Sequence, residues 1–472
     1  MNLDNETLKK IVEEVVTNFL ESKSINISVK PSSELGVFSK VDDAVKAARK
    51  AYEELQNLKL EERAKIIEAI RETGRKYTSE IAKMTVEETG MGRYEDKLIK
   101  IRIATDRTPG IEDLTTEAWS GDHGLTIVER SPFGVIATVT PSTHPVPTLI
   151  NNAISMISAG NSVVFNPHPG AKKVFLYALK LINEAIVKAG GPENLLCAVS
   201  EPTIETTQEC FGHPLIDLIV VTGGPGVVKE AMKYSKRVIA AGPGNPPVVV
   251  DETADIKKAA KNIVDGATFD NNIFCTAEKE IFVVESVADK LKRELLNYHC
   301  YELTYNQMNK LADIVVTDKK GEHPVMNRKF VGKNATVLAE AIGLKIDESI
   351  RLLIGEVDET HILVSAEQLM PVMPIVRVKD VDEAIEKAVK YEHNFRHSAI
   401  MHSLNLKALD KMAKLSRVTI FVKNGPSYAG LGVGGQGTTT YTIAGVTGEG
   451  ITTARTFTRQ RRCVLVDYFR IV

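Results

Sequence analysis

The strongest constraint on the fold is a repeated alternation of short apolar runs with helical stretches after residue 134. Strands joined through helices favour parallel pairing, because the helix returns the chain to the end of the sheet where the next strand begins. The apolar runs are Val135–Val139, Ser162–Phe165, Leu195–Val199 and Leu218–Val221, and the helical stretches between or after them are Val174–Ala189 and Val227–Tyr234. This pattern predicts an α/β fold with a parallel sheet.

A second series of the same kind follows residue 246 and predicts a second α/β domain. Since 472 residues exceed what one hydrophobic core usually supports, two or three structural units are expected. The predicted strands are Pro247–Val250, Ile281–Val284, Ile362–Val364 and Ser398–Met401, and the predicted helices are Ile256–Gly266 and Val381–Tyr391.

Charged helical patterns fill the chain before residue 100, and β-rich runs close it. The helical patterns cover Val41–Leu55, Glu61–Arg75 and Thr78–Glu88. The terminal runs, Cys463–Val466 and Phe469–Val472, predict a sheet edge that is available to an oligomer.

The N-terminus carries one amphipathic pattern of its own. Between Leu3 and Leu20, apolar side chains recur every three or four residues, as on one face of a helix. Residues 21–35 are richer in Ser, Lys and Pro and predict a linker. The sequence leaves open whether residues 1–20 dock on the body of the protein or bind a partner.

The charge balance excludes several classes of partner. Lys and Arg number 59 and Asp and Glu number 61, so no nucleic-acid or membrane surface is predicted as a partner.

Five cysteines without a C-x-x-C pair argue against a disulfide framework and against a metal site. The start of the chain lacks the features of a secretory signal, and a cytoplasmic protein is therefore expected.

Three local features suggest chemistry. Cys275 lies at the boundary between a helical stretch and a strand, where a nucleophilic thiol finds partial exposure and nearby donors. The glycine-rich segments 222–226 and 241–247 flank apolar strands, and the first allows a dinucleotide to approach a helix start. Taken alone, each has a simpler reading, because most free cysteines are buried hydrophobes and most glycine turns are structural.

In order and spacing, several segments together resemble the aldehyde dehydrogenase superfamily. Within it, the resemblance is to the CoA-acylating propionaldehyde and butyraldehyde dehydrogenases of bacterial microcompartments and solvent-forming clostridia. The matching segments are Glu87–Gly92, Ser131–Pro145, Ala159–Phe165, Asn166–Lys173, Ala241–Asp251, Cys275, Glu367–Val372, Phe421–Tyr428 and Thr447–Arg455.

The resemblance implies a three-part architecture and an oligomer. Residues 36–110 and 131–245 would form a Rossmann-like NAD-binding domain, and residues 246–443 an α/β catalytic domain. Residues 111–130 and 444–472 would form a small β oligomerisation arm, and the family usually assembles as homodimers or homotetramers.

The resemblance also assigns roles to individual residues. Cys275 becomes the nucleophile, and Glu367 would hold the nicotinamide ribose. Either Thr143 or His144, which stands where many relatives have Asn, would supply the oxyanion donor, and His397 would act near CoA or the acyl-enzyme. The other predicted cofactor-binding residues are Pro141, Asn166, His168, Thr222, Gly223, Gly224, Gly242, Pro243 and Gly244.

One absence points to CoA as the acyl acceptor. Hydrolytic relatives carry a glutamate in a Glu-Leu-Gly-Gly segment, but Ala240–Asn245 contains no carboxylate. Without that base, attack by water on a thioester is slow, and a thiol becomes the natural acceptor. NAD is the predicted cofactor; Pro169 stands in place of the usual ribose-binding carboxylate, and NADP is therefore not excluded.

The predicted reaction converts a short aliphatic aldehyde of the propanal or butanal class, CoA and NAD into acyl-CoA and NADH. Arg396, beside His397, replaces a residue that is often His in relatives, which alters the expected acyl preference. Two alternatives remain at this point, a hydrolytic aldehyde dehydrogenase and a non-catalytic microcompartment scaffold. Residues 3–20 resemble encapsulation peptides, which would bind a shell protein and place the enzyme inside a bacterial microcompartment.

Overall fold

The structure is a computed structural model that describes residues 35–319 and 324–471. Residues 36–472 form one compact unit. Predictions for residues 1–20 and for the linker up to residue 34 lie outside the described residues. None of the helices in the described ranges is both long and apolar enough to cross a membrane.

Thirteen α-helices occur in the described residues. They are α1 (Val41–Leu55), α2 (Leu60–Thr89), α3 (Tyr94–Arg107), α4 (Pro145–Ser158), α5 (Lys172–Lys188), α6 (Ile204–Gly212), α7 (Pro225–Ala231), α8 (Ile256–Thr268), α9 (Glu285–Leu296), α10 (Tyr305–Val315), α11 (Ala335–Ala341), α12 (Val381–Tyr391) and α13 (Leu406–Ser416).

Twenty strands accompany them. They are β1 (Val37–Phe38), β2 (Glu117–Gly121), β3 (Gly124–Pro132), β4 (Val135–Thr140), β5 (Ser162–Pro167), β6 (Leu196–Val199), β7 (Leu218–Thr222), β8 (Arg237–Ala241), β9 (Pro247–Val250), β10 (Glu280–Val284), β11 (Cys300–Glu302), β12 (Val316–Asp318), β13 (Val325–Met326), β14 (Leu352–Glu356), β15 (Val372–Val378), β16 (Ser398–His402), β17 (Ile420–Lys423), β18 (Ile443–Ala444), β19 (Gly450–Ile451) and β20 (Thr458–Val466).

Two parallel sheets form the body of the molecule, as the α/β pattern predicts. The first has the order β1-β6-β5-β4-β7-β8 and the second the order β11-β14-β15-β10-β9-β16-β17. Every described pairing within these two sheets is parallel. Helices therefore cover their faces and bury nearly continuous apolar strands.

The order of the first sheet reverses between β4 and β7, because the chain adds β5 and β6 on one side of β4 and then β7 and β8 on the other. Ligands of open α/β sheets bind at such a reversal, beyond the carboxyl ends of the strands. The turns after Thr140 and Thr222 lie at that point.

Helix α4 follows β4 directly and is buried along its whole length. Even its polar residues are buried, so the helix is surrounded by protein; they are Thr148, Asn151, Asn152, Ser155 and Ser158. Pro145 occupies the first turn, where a missing N–H costs little, and His144 is the N-cap residue. The central position of α4 thus fixes the turn that precedes it.

A third, antiparallel sheet has the order β2-β3-β20 and joins residues 117–132 to the C-terminal strand. The predicted strand at Cys463–Val466 is confirmed as part of β20. The predicted strand at Phe469–Val472 is wrong for its described residues, because residues 467–471 have no regular structure.

The structure corrects other boundaries. Residues 362–364 form a turn instead of the predicted strand, and β14 and β15 were missed on either side of it. The two helices predicted at 61–75 and 78–88 are one helix, α2. Helix α7 begins two residues before the predicted Val227 and ends at Ala231 instead of Tyr234.

Candidate active site

A cleft of about 1160 Å³ opens at the reversal point of the first sheet. Thirteen of the fourteen predicted site residues line it; Gly244 is not among the lining residues, but its backbone N–H donates to Glu367 Oε1 at 3.3 Å. The lining residues are Pro141, Thr143, His144, Asn166, His168, Thr222, Gly223, Gly224, Gly242, Pro243, Cys275, Glu367 and His397.

Cys275 lies on the loop between a 3₁₀ turn at Phe269–Asn272 and β10, and it is partly exposed. Burial of the sulfur and the neighbouring charge of Glu367 raise the pKa of its thiol to about 12, while Lys279 and Lys100 act in the opposite direction. Two lysines thus favour the anion, as expected of a nucleophile, but burial outweighs them and the net shift disfavours the thiolate.

The backbone before Cys275 takes an unusual path. Asp270, Asn271 and Asn272 all have positive φ values, of 52°, 53° and 65°. Asp and Asn tolerate this left-handed region better than other side chains because they form local hydrogen bonds. The Nδ2 group of Asn271 donates to Gly332 O at 2.9 Å, which holds the run in place.

Glu367 is a second titratable group of the cleft. Burial raises the pKa of its carboxyl to about 7, against the opposing charge of Lys279 and the hydrogen bond from Gly244. At neutral pH the carboxylate and carboxylic acid forms of Glu367 are therefore both populated.

His144 closes the cleft beside the nucleophile. Its ring is buried, lies edge-on to Phe274 with centroids 5.8 Å apart, and is 5.6 Å from the ring of Tyr441. Burial, followed by the charges of Lys100 and Lys97, holds the pKa of His144 well below its usual value. The imidazole is therefore neutral, and its Nδ1 has no hydrogen-bond partner within the described structure.

His397 is also a neutral imidazole. Burial and the charge of Lys279 lower its pKa to about 4. Its Nδ1 lies 2.9 Å from Ser398 Oγ, whereas its Nε2 has no hydrogen-bond partner among the described residues. A buried nitrogen without a partner is an unsatisfied group that a bound ligand can satisfy.

Asn166 and His168 form part of the cleft wall. The Asn166 amide donates to the carbonyl of Thr203 at 3.3 Å and contacts Thr207, so it joins β5 to the start of α6. His168 Nδ1 accepts the N–H of Gly170 at 3.0 Å. The Asn166 amide is therefore already hydrogen-bonded within the protein, and a ligand that contacts it would have to share the amide with these partners.

The turn after β7 leaves room for a dinucleotide. A Cβ atom added to Gly224 or Gly226 would meet nothing within 4 Å, so the cleft side of this turn is open. Backbone N–H groups in such a turn suit a polyphosphate. With the half-buried side chain of Glu367 in the same cleft, the residues present fit a nicotinamide dinucleotide.

Several charged residues of the site escaped prediction. Lys97 and Lys100 of α3 are buried and share Asp270, and Lys279 donates to Asn272 O at 2.9 Å beneath the Cys275 loop. Glu278 is buried there as well, and its pKa is raised to about 7 by burial. The spacing of Lys97 and Lys100 places them on one helical face, but it gave no signal that this face is buried.

Parallel sheets, a ligand cleft at a reversal of strand order and a cysteine thiol on that cleft are the features of an α/β enzyme with a candidate nucleophile. The sequence profile described as "Aldehyde dehydrogenase family" matches residues 34–452, and the chain belongs to that family.

Individual relatives are similar over nearly the whole chain. The acetylating acetaldehyde dehydrogenase EutE of Salmonella typhimurium is 50% identical over 473 residues. The alignment covers 100% of this chain and 100% of EutE. A propionaldehyde dehydrogenase from the fucose utilisation microcompartment of Clostridium phytofermentans has a TM-score of 0.91 at 48% identity, covering 93% of this chain and 100% of its own. The Rhodopseudomonas palustris propionaldehyde dehydrogenase, solved with bound CoA and an acylated cysteine, has a TM-score of 0.89 at 50% identity, covering 92% and 98%.

These similarities confirm the resemblance that was inferred from the sequence, including its acylating branch, and they confirm the predicted fold class.

Proposed function

We propose that the chain interconverts a short aliphatic aldehyde, CoA and NAD with acyl-CoA, NADH and a proton. The observation that carries this proposal is the end of β8, where Ala241 contributes a methyl group to the cleft at the segment in which hydrolytic relatives carry a glutamate. The similarity to the acetylating EutE and to an enzyme solved with CoA and an acylated cysteine supports it.

Cys275 would begin the reaction as a thiolate that attacks the aldehyde carbonyl carbon. The charges of Lys279 and Lys100 favour this form of the sulfur. The carbonyl oxygen becomes an oxyanion, and the turn of Thr143 and His144 is the part of the cleft that we assign to it. The neutral state of His144 allows the ring to donate from one nitrogen.

A bound nicotinamide dinucleotide would supply the hydride acceptor, and loss of the hydride would turn the thiohemiacetal on Cys275 into a thioester. We assign Glu367 and the turns at 222–224 and 242–244 to the dinucleotide. Residues 36–110 and 131–245 then form the cofactor domain, because the cleft lies at the reversal of their sheet, and residues 246–443 form the catalytic domain.

His397 would serve the second half-reaction. Its imidazole is unprotonated at neutral pH, and Nε2 has no partner among the described groups, so it can take the proton of the CoA thiol. The CoA sulfur then attacks the thioester carbonyl, the bond to Cys275 breaks, and acyl-CoA leaves. Position 241 is an alanine, so it offers no carboxylate that could deprotonate an attacking water.

An assay of acetaldehyde and propanal with NAD tests the proposal. NADH should form rapidly only when CoA is present, and Cys275→Ala should abolish it. Cys463→Ala is the matched control, because Cys463 is exposed and is not among the residues that line the cleft. Rapid NADH formation without CoA would identify a hydrolytic enzyme, and no turnover with either aldehyde would favour a non-catalytic scaffold.

We also propose that residues 3–20 bind a microcompartment shell protein through their apolar stripe. The support is the sequence pattern and the source of the Clostridium phytofermentans relative. Deletion of residues 1–20 should abolish co-purification with shells while turnover in solution stays unchanged. Recovery with shells at the level of the intact chain would contradict this assignment.

A further inference from the structure

Two lysines and one aspartate form a buried charged cluster beneath the cleft. Lys97 and Lys100 lie one turn apart on α3, and their Nζ atoms are 2.8 and 2.7 Å from Asp270 Oδ2. The three side chains are 2%, 0% and 0% exposed. One carboxylate faces two ammonium groups, so the cluster carries an excess positive charge when all three are ionised.

The cluster joins the two segments that carry the proposed chemistry. Both Nζ atoms lie 3.3 Å from the carbonyl oxygen of Thr143, to which they donate. Asp270 begins the left-handed run before Cys275. Lys100 Nζ lies 5.0 Å from the ring centroid of Phe274, the residue adjacent to the nucleophile. The excess charge is thus placed between the oxyanion turn and the nucleophile loop.

Stability alone gives a weak reason for this arrangement. Burying an ion pair usually gains little over apolar side chains of the same size, and a second buried cation adds a further desolvation penalty. The cost is visible in Lys97, whose pKa burial lowers to about 8. One lysine would suffice to neutralise Asp270, so the second requires another explanation.

We propose that Lys97 and Lys100 are positioning residues whose excess charge over Asp270 stabilises the thiolate of Cys275 and the oxyanion that forms beside Thr143. This inference rests on the proposed function of Cys275. In it, both lysines act through their charge at a distance, and neither touches the substrate. Lys100 acts more strongly than Lys97, because it is the lysine of the pair that lies against Phe274.

The sign of the effect follows from the charges around the sulfur. Burial and then Glu367 raise the pKa of the thiol, whereas Lys279 and Lys100 lower it; Tyr441 and His144 are uncharged. Asp270 faces both lysines, and Asp96 acts on Lys97. Asp96 also lies 4.0 Å from Arg93 and 3.6 Å from Arg351, so it does not cancel the excess charge of the lysines. Removing the charge of Lys100 therefore raises the thiol pKa and leaves less thiolate at a given pH.

The test compares Lys100→Met, which removes the charge, with Lys100→Arg, which keeps it. Both are made with Cys463→Ser, because Cys463 is exposed whereas Cys197, Cys210 and Cys300 are buried. Alkylation of Cys275 is followed by the mass of its peptide, with neutral iodoacetamide and anionic iodoacetate. The two reagents are similar in size, so the ratio of their rates reports the electrostatic potential at the sulfur.

At a fixed pH, Lys100→Met should slow the iodoacetamide reaction about tenfold, which corresponds to one pKa unit. The ratio of iodoacetate to iodoacetamide rates should also fall several-fold, because the anion loses an attractive charge. Lys100→Arg should keep both values near those of the parent. Lys97→Met should lower both by a smaller factor, and it provides an independent test if Lys100→Met does not fold.

An unchanged reagent ratio in Lys100→Met, or in Lys97→Met if only that variant folds, would overturn the proposal. An equal fall in Lys100→Met and Lys100→Arg would also overturn it, because it would show a packing effect without a charge effect. Neither measurement uses aldehyde, NAD or CoA. A failure of the proposed reaction is therefore seen separately, as turnover without CoA.

Discussion

At the scale of single residues, Gly244 shows how closely the proposed site is packed. A Cβ atom at this position would lie 2.9 Å from the carbonyl oxygen of Cys275 and 2.9 Å from Cγ of His397. These two neighbours carry the two halves of the proposed reaction. A methyl group would therefore push the nucleophile and the imidazole apart.

We expect Gly244→Ala to lower kcat roughly 100-fold, because displacements of about 1 Å in a site have effects of that size. Steady-state assays with propanal, NAD and CoA measure it. Gly212→Ala is the control, since a Cβ there would lie at an ordinary 3.5 Å from Tyr234 and Gly212 is outside the cleft lining. If both variants kept the parental kcat, the close packing around Gly244 would not be needed for turnover.

Some residues of the candidate site could be predicted from the sequence and others could not. Cys275 and Glu367 stand in segments whose order resembles a family, and the structure places both on one cleft. Lys97 and Lys100 had no such guide, because lysine on a helix normally indicates a solvated face. Their burial depends on Asp270, which is about 170 residues away in the chain, and a helical pattern cannot reveal such a partner.

At the scale of elements, the left-handed run before Cys275 gives a prediction about stability. Asn271 has φ 53°, and its Nδ2 donates to Gly332 O at 2.9 Å and to Asn334 Oδ1 at 2.8 Å. Asn271→Ala should lose these bonds and add backbone strain of roughly 1–2 kcal/mol. Asn271→Gly should lose the same bonds without the strain.

The free energy of unfolding in urea, measured for both variants at one protein concentration, should thus be lower for Asn271→Ala than for Asn271→Gly. The difference should be about 0.5–1 kcal/mol, because the greater freedom of glycine in the unfolded chain offsets part of the strain. A free energy for Asn271→Ala above that of Asn271→Gly would contradict the strain expected for alanine.

Elements were easiest to predict where pattern and packing agree. Strands β4 and β7, at the reversal of the first sheet, were recognised because most of their residues are apolar. Strand β15 was missed: it contains Pro374, which usually indicates an edge strand, yet it lies between β14 and β10. The break predicted between Arg75 and Thr78 is absent, because α2 continues through it. Gly74 lies within α2, and a Cβ there would meet Thr105 Oγ1 of α3 at 2.4 Å, so glycine permits the close approach of the two helices.

At the scale of the whole molecule, β20 forms an edge of the third sheet that pairs with no further strand among the described residues. Its apolar residues Val464 and Val466 are 56% and 60% exposed. Residues 111–130 and 444–472 were predicted to form an oligomerisation arm, and we propose that this edge forms a contact in a homodimer or homotetramer.

Introducing Val464→Lys together with Val466→Lys should reduce the mass of the assembly, because charge on an exposed edge strand opposes strand pairing. Light scattering after size-exclusion chromatography measures that mass. Leu406→Lys, on an apolar residue of α13 that is 80% exposed, is the control and should leave it unchanged. A doubly substituted chain with the parental mass would place the contact elsewhere.

The methyl group of Ala241 also has a bioenergetic consequence in the proposed reaction. Hydrolysis of the thioester on Cys275 would release the free energy of aldehyde oxidation as heat and make the step irreversible. Passing the acyl group to a second thiol keeps that energy in a new thioester of similar stability. The reaction then stays close to equilibrium, so the relative concentrations of its reactants decide whether the enzyme forms acyl-CoA or consumes it.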